Sequence, residues 1–471
     1  MGLAMCVRLA IAFLLTLVAA RTRADLRDEA AAGLRKAVAF FHRQVAIDGG
    51  YVYKYSTDLK LREGEGKAEP RTIWVQPPGT PSIGMALLEA YQRTGEPACL
   101  EAALDAGRAL VRGQMHSGGW SNRIEFDPDL RKRFAYRVDG PTGKRARNIS
   151  SLDDDQTPAA LRLLMRLDHT TGQKQAAIHE AATYALVAVL KNQHRNGAWS
   201  QVFDGAHVHA GEPKRASYPA DWPREHPGGD YWWHYTFNDG AMSALVETLL
   251  EAARLYDEPK YKAAAIRCGE FMLVAQMPEP QPGWAQQYNA DMHPAWARRF
   301  EPPAVSSSES ARVIRTLMAI HEATGDKRFL APIPAALAWL KRSTLPAGGH
   351  ARFYELQTNK PLYLTRDYRL TYNANDLPTH YAFIQRDLDL DRLERQYRHA
   401  LAREKPAANS SRQIELAEAP DAVVRRILTA LDERGAWVEQ GALSSHGYNG
   451  PIIDSRTFIR NLDTLSRYLI R

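Results

Sequence analysis

The sequence predicts an all-α fold: an α/α toroid, complete or incomplete, of about six helical hairpins with short β or loop segments at its rim. Three observations lead there. A phrase built on glycine and an aromatic ring or histidine recurs at Tyr51, Trp120, Trp199, Trp284, near His350 and at Trp437, at intervals of roughly 66 to 87 residues. Pairs of amphipathic helical patterns fill those intervals. The 471 residues are 45% hydrophobic and 24% charged, enough apolar material for a large core and unlike a disordered chain or a small disulfide scaffold.

Taken in order, the chain begins with Arg8, an apolar run from Leu9 to Ala20, and Thr22-Arg23-Ala24. A basic start, a short apolar core and a small residue at the cut predict a secretory signal over residues 1–24. The run is too short to span a bilayer comfortably. Residues 25–401 carry the toroid. GMALLEAYQRTGEPACLEAALDAGRALV, MSALVETLLEAARLY with YKAAAIRCGEFMLVAQM, and ARVIRTLMAIHEATGDKRFLAPIPAALAWLKR each read as helix, short polar turn, helix. Leu245, Leu249 and Tyr256 share one face of their helix. A Gly/Pro/His-rich insertion, Phe203 to Asp230, breaks the rhythm. A linker from Ala402 to Gln413 precedes a last hairpin, so that residues 402–471 are expected to pack on the toroid. After signal cleavage no long apolar stretch remains, which predicts no membrane association. Cys99 and Cys268 then form either one disulfide or two buried thiols. The net charge of +7 falls to +4 when Arg8, Arg21 and Arg23 are removed. That is too weak a field to name a partner by itself.

Four clusters at loop-to-helix junctions carry the candidate chemistry. They are Ser151 to Thr157 with Asp153, Asp154 and Asp155; Tyr235 to Met242 with Asn238 and Asp239; Trp284 to Glu301 with Gln287 and Arg298; and Ala351 to Asp367 with Arg352, Tyr354, Asn359, Lys360 and Arg366. An aspartate at a helix start is commonly an N-cap, and each tryptophan by itself reads as a plug for its own helix pair. Six phrases in register favour a shared rim around a cleft. There carboxylates from two hairpins would meet arginines from two others. Clustered carboxylates suit calcium, and guanidinium forks suit carboxylate substrates. His207-Val-His209, His226 and His234 make a weaker pattern, better read as a solvated loop than as a metal site.

These residues resemble the family 10 polysaccharide lyases, the pectic acid lyases. SLDDDQTPAALRLL, NGAWSQV, YTFNDGAM, WAQQY with PAWARRFEPPAVSSSESARVIRTLM, and ARFYELQTNKPLYLTRD follow one another in that family's order over roughly Gly119 to Leu401. The resemblance implies a secreted or periplasmic, monomeric pectate lyase that cleaves α-1,4-linked polygalacturonate by calcium-assisted anti β-elimination. It implies Arg298 as the base, Asp153 and Asp239 as acidic catalytic positions, and Asp153, Asp154 and Asp239 around calcium. Arg352 and Arg366 would hold the substrate carboxylate, with Tyr235, Asn238, Trp284, Gln287, Tyr354, Asn359 and Lys360 as further substrate contacts. The partner is an acidic polysaccharide, not nucleic acid. The chain departs from the family pattern at Asp154, usually Asn; at Gly240, usually Asp; and at Lys360, often Arg. Two other readings stand beside it: a toroidal glycoside hydrolase using Asp153 and Asp239 as its acid–base pair, and an inactive carbohydrate-binding homologue.

Overall fold

Helices form where apolar residues recur at helical spacing and stop at the polar turns between them. The computed structural model describes residues 24–141, 143, 145–211, 213–402 and 419–470; the signal segment through residue 23 and the linker from residue 403 lie outside them. The helices are α1 (24–40), α2 (Thr80–Thr94), α3 (Pro97–Arg112), the short α4 (Pro128–Arg131), α5 (Gln156–Thr170), α6 (Ala176–Lys191), α7 (Ala241–Tyr256), α8 (Pro259–Ala275), α9 (Ser307–Thr324), α10 (Ile333–Arg342), α11 (Leu390–Leu401), α12 (Asp421–Thr429) and α13 (Ser455–Tyr468).

They form two layers. In the inner layer α13 packs on α2, α2 on α5, α5 on α7, α7 on α9, and α9 on α11. In the outer layer α3, α6, α8, α10 and α12 each pack on a neighbour in sequence, respectively α2, α5, α7, α9 and α13. Short turns lead from α2, α5, α7 and α9 to their outer helices, and long rim loops lead from α3, α6, α8 and α10 to the next inner helix. The N-termini of α5, α7 and α9 therefore emerge at one rim.

The recurrent phrase has a common structural role. The indole N–H of Trp120 donates to the Leu110 carbonyl (2.8 Å), Trp199 to Val189 (2.9 Å), Trp284 to Met272 (2.8 Å) and Trp437 to Ile427 (2.9 Å). All four acceptors lie in the last turn of the preceding outer helix, where carbonyls lack an intrahelical partner. All four rings are buried. The rim of aromatic faces expected from the sequence is thus absent at these positions. Burying the ring gains apolar area, and its single polar atom is satisfied by a helix end. The glycine before the ring is equally constrained. Gly49, Gly197 and Gly435 have φ of +82°, +92° and +99°, and a Cβ on any of them would lie 2.5 Å or less from the carbonyl oxygen of Asp105, Arg267 or Lys36 respectively. The first two carbonyls belong to the outer helices α3 and α8, and Lys36 belongs to α1, so the last rim loop leans on the first helix.

The ring is joined a second time through a sheet. Tyr448–Asp454 pairs antiparallel with Lys54–Ser56, Lys54 opposite Asp454, between Val438–Leu443 and Arg62–Glu63. The C-terminal helices are accordingly a segment of the ring rather than an appendage on it. A second antiparallel sheet runs in the order Leu370–Thr371, Pro361–Leu364, Phe353–Glu355, Ala304–Ser306 and Trp284–Ala285. Cys99 and Cys268 are separate buried thiols. No helix of the described residues is long and apolar enough to cross a membrane.

Candidate active site

Two tight turns bring the aspartates to the rim. Asp153–Asp155 precedes α5 and Asn238–Gly240 precedes α7. Asp154, Asp155 and Asp239 have φ of +46°, +61° and +49°, a left-handed conformation that aspartate tolerates better than most residues but at a cost. Neither helix receives a side-chain cap from these residues, so the N-cap reading does not hold. Their oxygens turn to one another instead: Asp153, Asp154 and Asp239 each place a carboxylate oxygen within 4.8 Å of the other two. Among the described residues this is the one such group of three acid, histidine or cysteine ligands. The histidines of the insertion form no such group. His207 pairs with Asp204 (2.8 Å), and His226 bonds the Ala297 carbonyl (2.9 Å).

Arg298 reaches this group from the loop before Ala304–Ser306. Glu301, wholly buried, accepts from its Nε (2.8 Å) and backbone N–H (3.0 Å) and pairs with Nη2 (2.8 Å). Nη2 also lies 3.3 Å from Asp239 Oδ2. This grip leaves Nη1 without a hydrogen bond to the described residues. Arg352 arrives from between His350–Ala351 and Phe353–Glu355. Its Nη2 lies 3.3 Å from Asn238 Oδ1, 3.4 Å from Asp239 Oδ1 and 3.7 Å from Glu309 Oε1, and its guanidinium sits over the Tyr381 ring at 4.3 Å. Asp239 thus touches both arginines. Tyr381 Oη in turn donates to Glu301 Oε1 (3.0 Å), and Gln76 Nε2 donates to Asp154 Oδ2 (2.9 Å).

The electrostatics follow from burial. Desolvation pushes the Asp153 carboxyl up from 3.8 to about 7, opposed by Arg298 and reinforced by Asp154 and Asp239. The same cause, with repulsion from Asp239, raises Asp154 to about 6. For Arg298 burial opposes the charge, but Glu301, Asp153 and Asp239 outweigh it and hold the guanidinium well above the usual arginine range. A carboxyl raised on folding makes the native state bind protons that the unfolded chain releases. Without a bound cation, stability is therefore expected to fall as pH rises from about 4 through 7. Melting temperatures taken in chelator from pH 5 to pH 8 should drop more steeply for the wild type than for Asp153→Asn/Asp154→Asn. Parallel curves would remove these two groups as the cause.

Of the substrate positions implied by resemblance, Asn238 and Arg352 lie in this cluster. Arg366 does not: its side chain is 71% exposed and pairs with Asp376 at 3.3 Å. Trp284, Tyr235, Gln287 and Tyr354 are buried in the wall and present no face to a sugar. Gln287 donates to the Ala295 carbonyl (2.5 Å), and Tyr354 to the Ser343 carbonyl. Asn359 is held by Gln281 (3.1 Å), Trp339 (2.8 Å) and Ser343 (3.0 Å), and Lys360 sits over the Tyr372 ring at 5.4 Å. Trp284, Gln287, Tyr354 and Asn359 thus have polar atoms engaged within the fold, while Lys360 is exposed.

Sequence reasoning did not single out Glu301, Glu309, Gln76 or Tyr381. Glu301 stands three residues after Arg298, a spacing with no meaning until the loop turns back on itself. Glu309 follows Ser306 in the pattern of a helix-capping box, which hides its contact with Arg352. The insertion backs the same wall: Arg224 pairs with the buried Glu355 (2.8 Å), and the Trp296 indole donates to the Pro223 carbonyl (2.7 Å).

The toroid gathers carboxylates and arginines at one rim, and the family its sequence matches makes the chain a polysaccharide lyase. Residues 114–348 match the profile of the family described as pectic acid lyase, and over this stretch the chain belongs to that family. No protein of curated function matches the sequence. Similar solved structures include a variant of the family 10 polysaccharide lyase from Cellvibrio cellulosa in complex with trigalacturonic acid, 19% identical, covering 68% of this chain and 98% of that one with a TM-score of 0.46. The same lyase also matches in a second structure, at 20% identity over 65% of this chain and 93% of that one, TM-score 0.44. Cellobiose 2-epimerase from Spirochaeta thermophila is 15% identical over 95% of this chain and 98% of that one, TM-score 0.45.

Proposed function

We propose that the protein is a secreted, monomeric pectate lyase that cleaves α-1,4-linked polygalacturonate by anti β-elimination. The observation that carries this reading is the meeting of Arg298 and Arg352 over Asp239, beside Asp153 and Asp154. In the reaction the C5–H bond breaks, its electron pair forms the C4=C5 double bond, and the C4–O glycosidic bond breaks. The leaving oxygen takes up a proton. The difficulty lies at C5, whose neighbouring carboxylate is already negative, so a second negative charge develops there in the transition state.

Arg352 is placed to bind that carboxylate. Glu309 and the Tyr381 ring hold its guanidinium, and Asn238 limits its rotation. Arg298 is the proposed base, acting through Nη1, the nitrogen that Glu301 and Asp239 leave unengaged. Those two carboxylates favour the protonated guanidinium, so the role requires their charge to be offset.

The aspartates fit a calcium ion. They are hard oxygen donors within 4.8 Å of one another, and Asp153 Oδ1 is buried without a hydrogen-bond partner. Asp153, Asp154 and Asp239 would hold it, and such an ion supplies positive charge beside the substrate carboxylate. Export rests on the Arg8 to Ala24 segment, most of which lies outside the described residues.

The test is incubation of the protein with polygalacturonate and calcium while following the ultraviolet absorbance of the new unsaturated uronate. Absorbance should rise, and stop on addition of chelator. New reducing ends without absorbance would establish hydrolysis instead. Saturable binding with neither signal would identify a binding protein.

A further inference from the structure

Arginines continue from this site along the inner layer. Arg312 stands one turn into α9, beside Gly240, where a Cβ would come within 2.7 Å of its Nη1. Gly240 has φ +76°, a backbone conformation that favours glycine. Arg315 follows at helical spacing on the same face, the one that α9 leaves exposed while its other faces pack. Across from it α11 presents Arg392, Arg395 and His399, again three and four residues apart and exposed. Between the two helices lies a cavity of about 450 Å³, with Arg315, Arg392, Arg395 and His399 in its lining.

The charge of this wall is unbalanced. Among the described residues Arg312, Arg315, Arg392 and Arg395 form no ion pair, whereas Arg298 and Arg352 at the neighbouring cluster are paired. Glu322 is the acid in the cavity lining, and the nearby Asp389 carboxylate is engaged in capping α11 through the Arg392 N–H (2.8 Å). Burial first, then repulsion from Arg392 and Arg312, push Arg315 below the usual arginine range, with Asp389 opposing them.

We infer that the α9–α11 cavity, reached from the catalytic cluster past Arg312, is an accessory binding track for the anionic polymer, with Arg315, Arg392 and Arg395 taking successive uronate carboxylates. A planar guanidinium matches a carboxylate, and a cleft with an excess of one sign of charge concentrates the opposite sign. The track deepens the lyase reading, on which its choice of uronate rests. Its contribution belongs to long chains, which can occupy the cluster at Asp239 and the α9–α11 cavity together.

Calorimetric titration of the full chain with tri- and octagalacturonate, in calcium and low salt, tests the track. The wild type is expected to bind the octamer about tenfold or more tighter than the trimer, a gain from linked carboxylate contacts. Arg315→Ala/Arg392→Ala should keep the trimer affinity and lose that gain. Arg108→Ala/Arg328→Ala, which removes the same charge elsewhere on the surface, should keep both. Equal length dependence in the wild type and the track variant would overturn the inference, as would a wild type that does not distinguish the two oligomers. The lyase reading is judged separately, by absorbance. Length-dependent binding without absorbance upholds the track alone, and absorbance with an unaffected track variant upholds the lyase alone.

Discussion

Arg298→Ala is expected to lower kcat on polygalacturonate by about 1,000-fold or more, the scale set by loss of a proton-transfer group in the transition state. Oligogalacturonate affinity should change far less, because Arg352, Asn238 and Glu309 form a separate contact set that does not include Arg298. The variant should also fold. Arg298 occupies a loop, and its partner Glu301 retains bonds from Tyr381 (3.0 Å) and Asn238 (3.4 Å). Single-turnover absorbance together with calorimetric affinity separates the two effects. Arg298→Lys sharpens the assignment. A lysine keeps the positive charge but cannot take the two-pronged grip of Glu301. Near-complete loss in both variants fits the base role. Substantial turnover in Arg298→Lys would reassign Arg298 to charge stabilisation and leave Asp153, raised to about 7, as the group suited to accept a proton.

The second large effect is expected at Asp239, among the described residues the one side chain that contacts both arginines and belongs to the aspartate triad. Asp239→Asn should reduce kcat/KM by roughly 100- to 1,000-fold, comparable to removing one electrostatic group from a preorganised site. It should also shift the calcium concentration for half-maximal activity upward. Asparagine is the informative replacement because φ is +49° here, a conformation it tolerates nearly as well as aspartate. Asp239→Ala adds backbone strain to loss of charge, and its melting temperature should fall below that of Asp239→Asn. Calcium titrations of activity on the two variants, with their thermal melts, check both statements. An Asp239→Asn enzyme with unchanged calcium dependence would take Asp239 out of the metal site.

The recurring phrase shows how far local sequence reaches. Its spacing announced repeated helix pairs, because an amphipathic pattern interrupted by glycine every few turns has few ways to bury its apolar faces. The same phrase could not say whether Trp120, Trp199 and Trp284 look outward to a sugar or inward to a helix end. A tryptophan carries both an apolar face and one donor. Only packing shows that the carbonyls of Leu110, Val189 and Met272 take that donor.

The candidate site divides in the same way. Asp153, Asp154, Asp239, Arg298 and Arg352 were legible as residue types at loop-to-helix junctions, and the ring brings all five together. Arg366 was as prominent in the sequence and points away, paired with Asp376. Glu301, Gln76 and Tyr381, which hold the cluster in place, carried no local signal at all. By itself the sequence determined the repeat, the helix pairs and the chemistry available at the rim, since these depend on neighbours a few residues apart. The tertiary structure alone decided which charges meet and which are raised or held. Those outcomes depend on burial and on distances between loops separated by several turns of the ring.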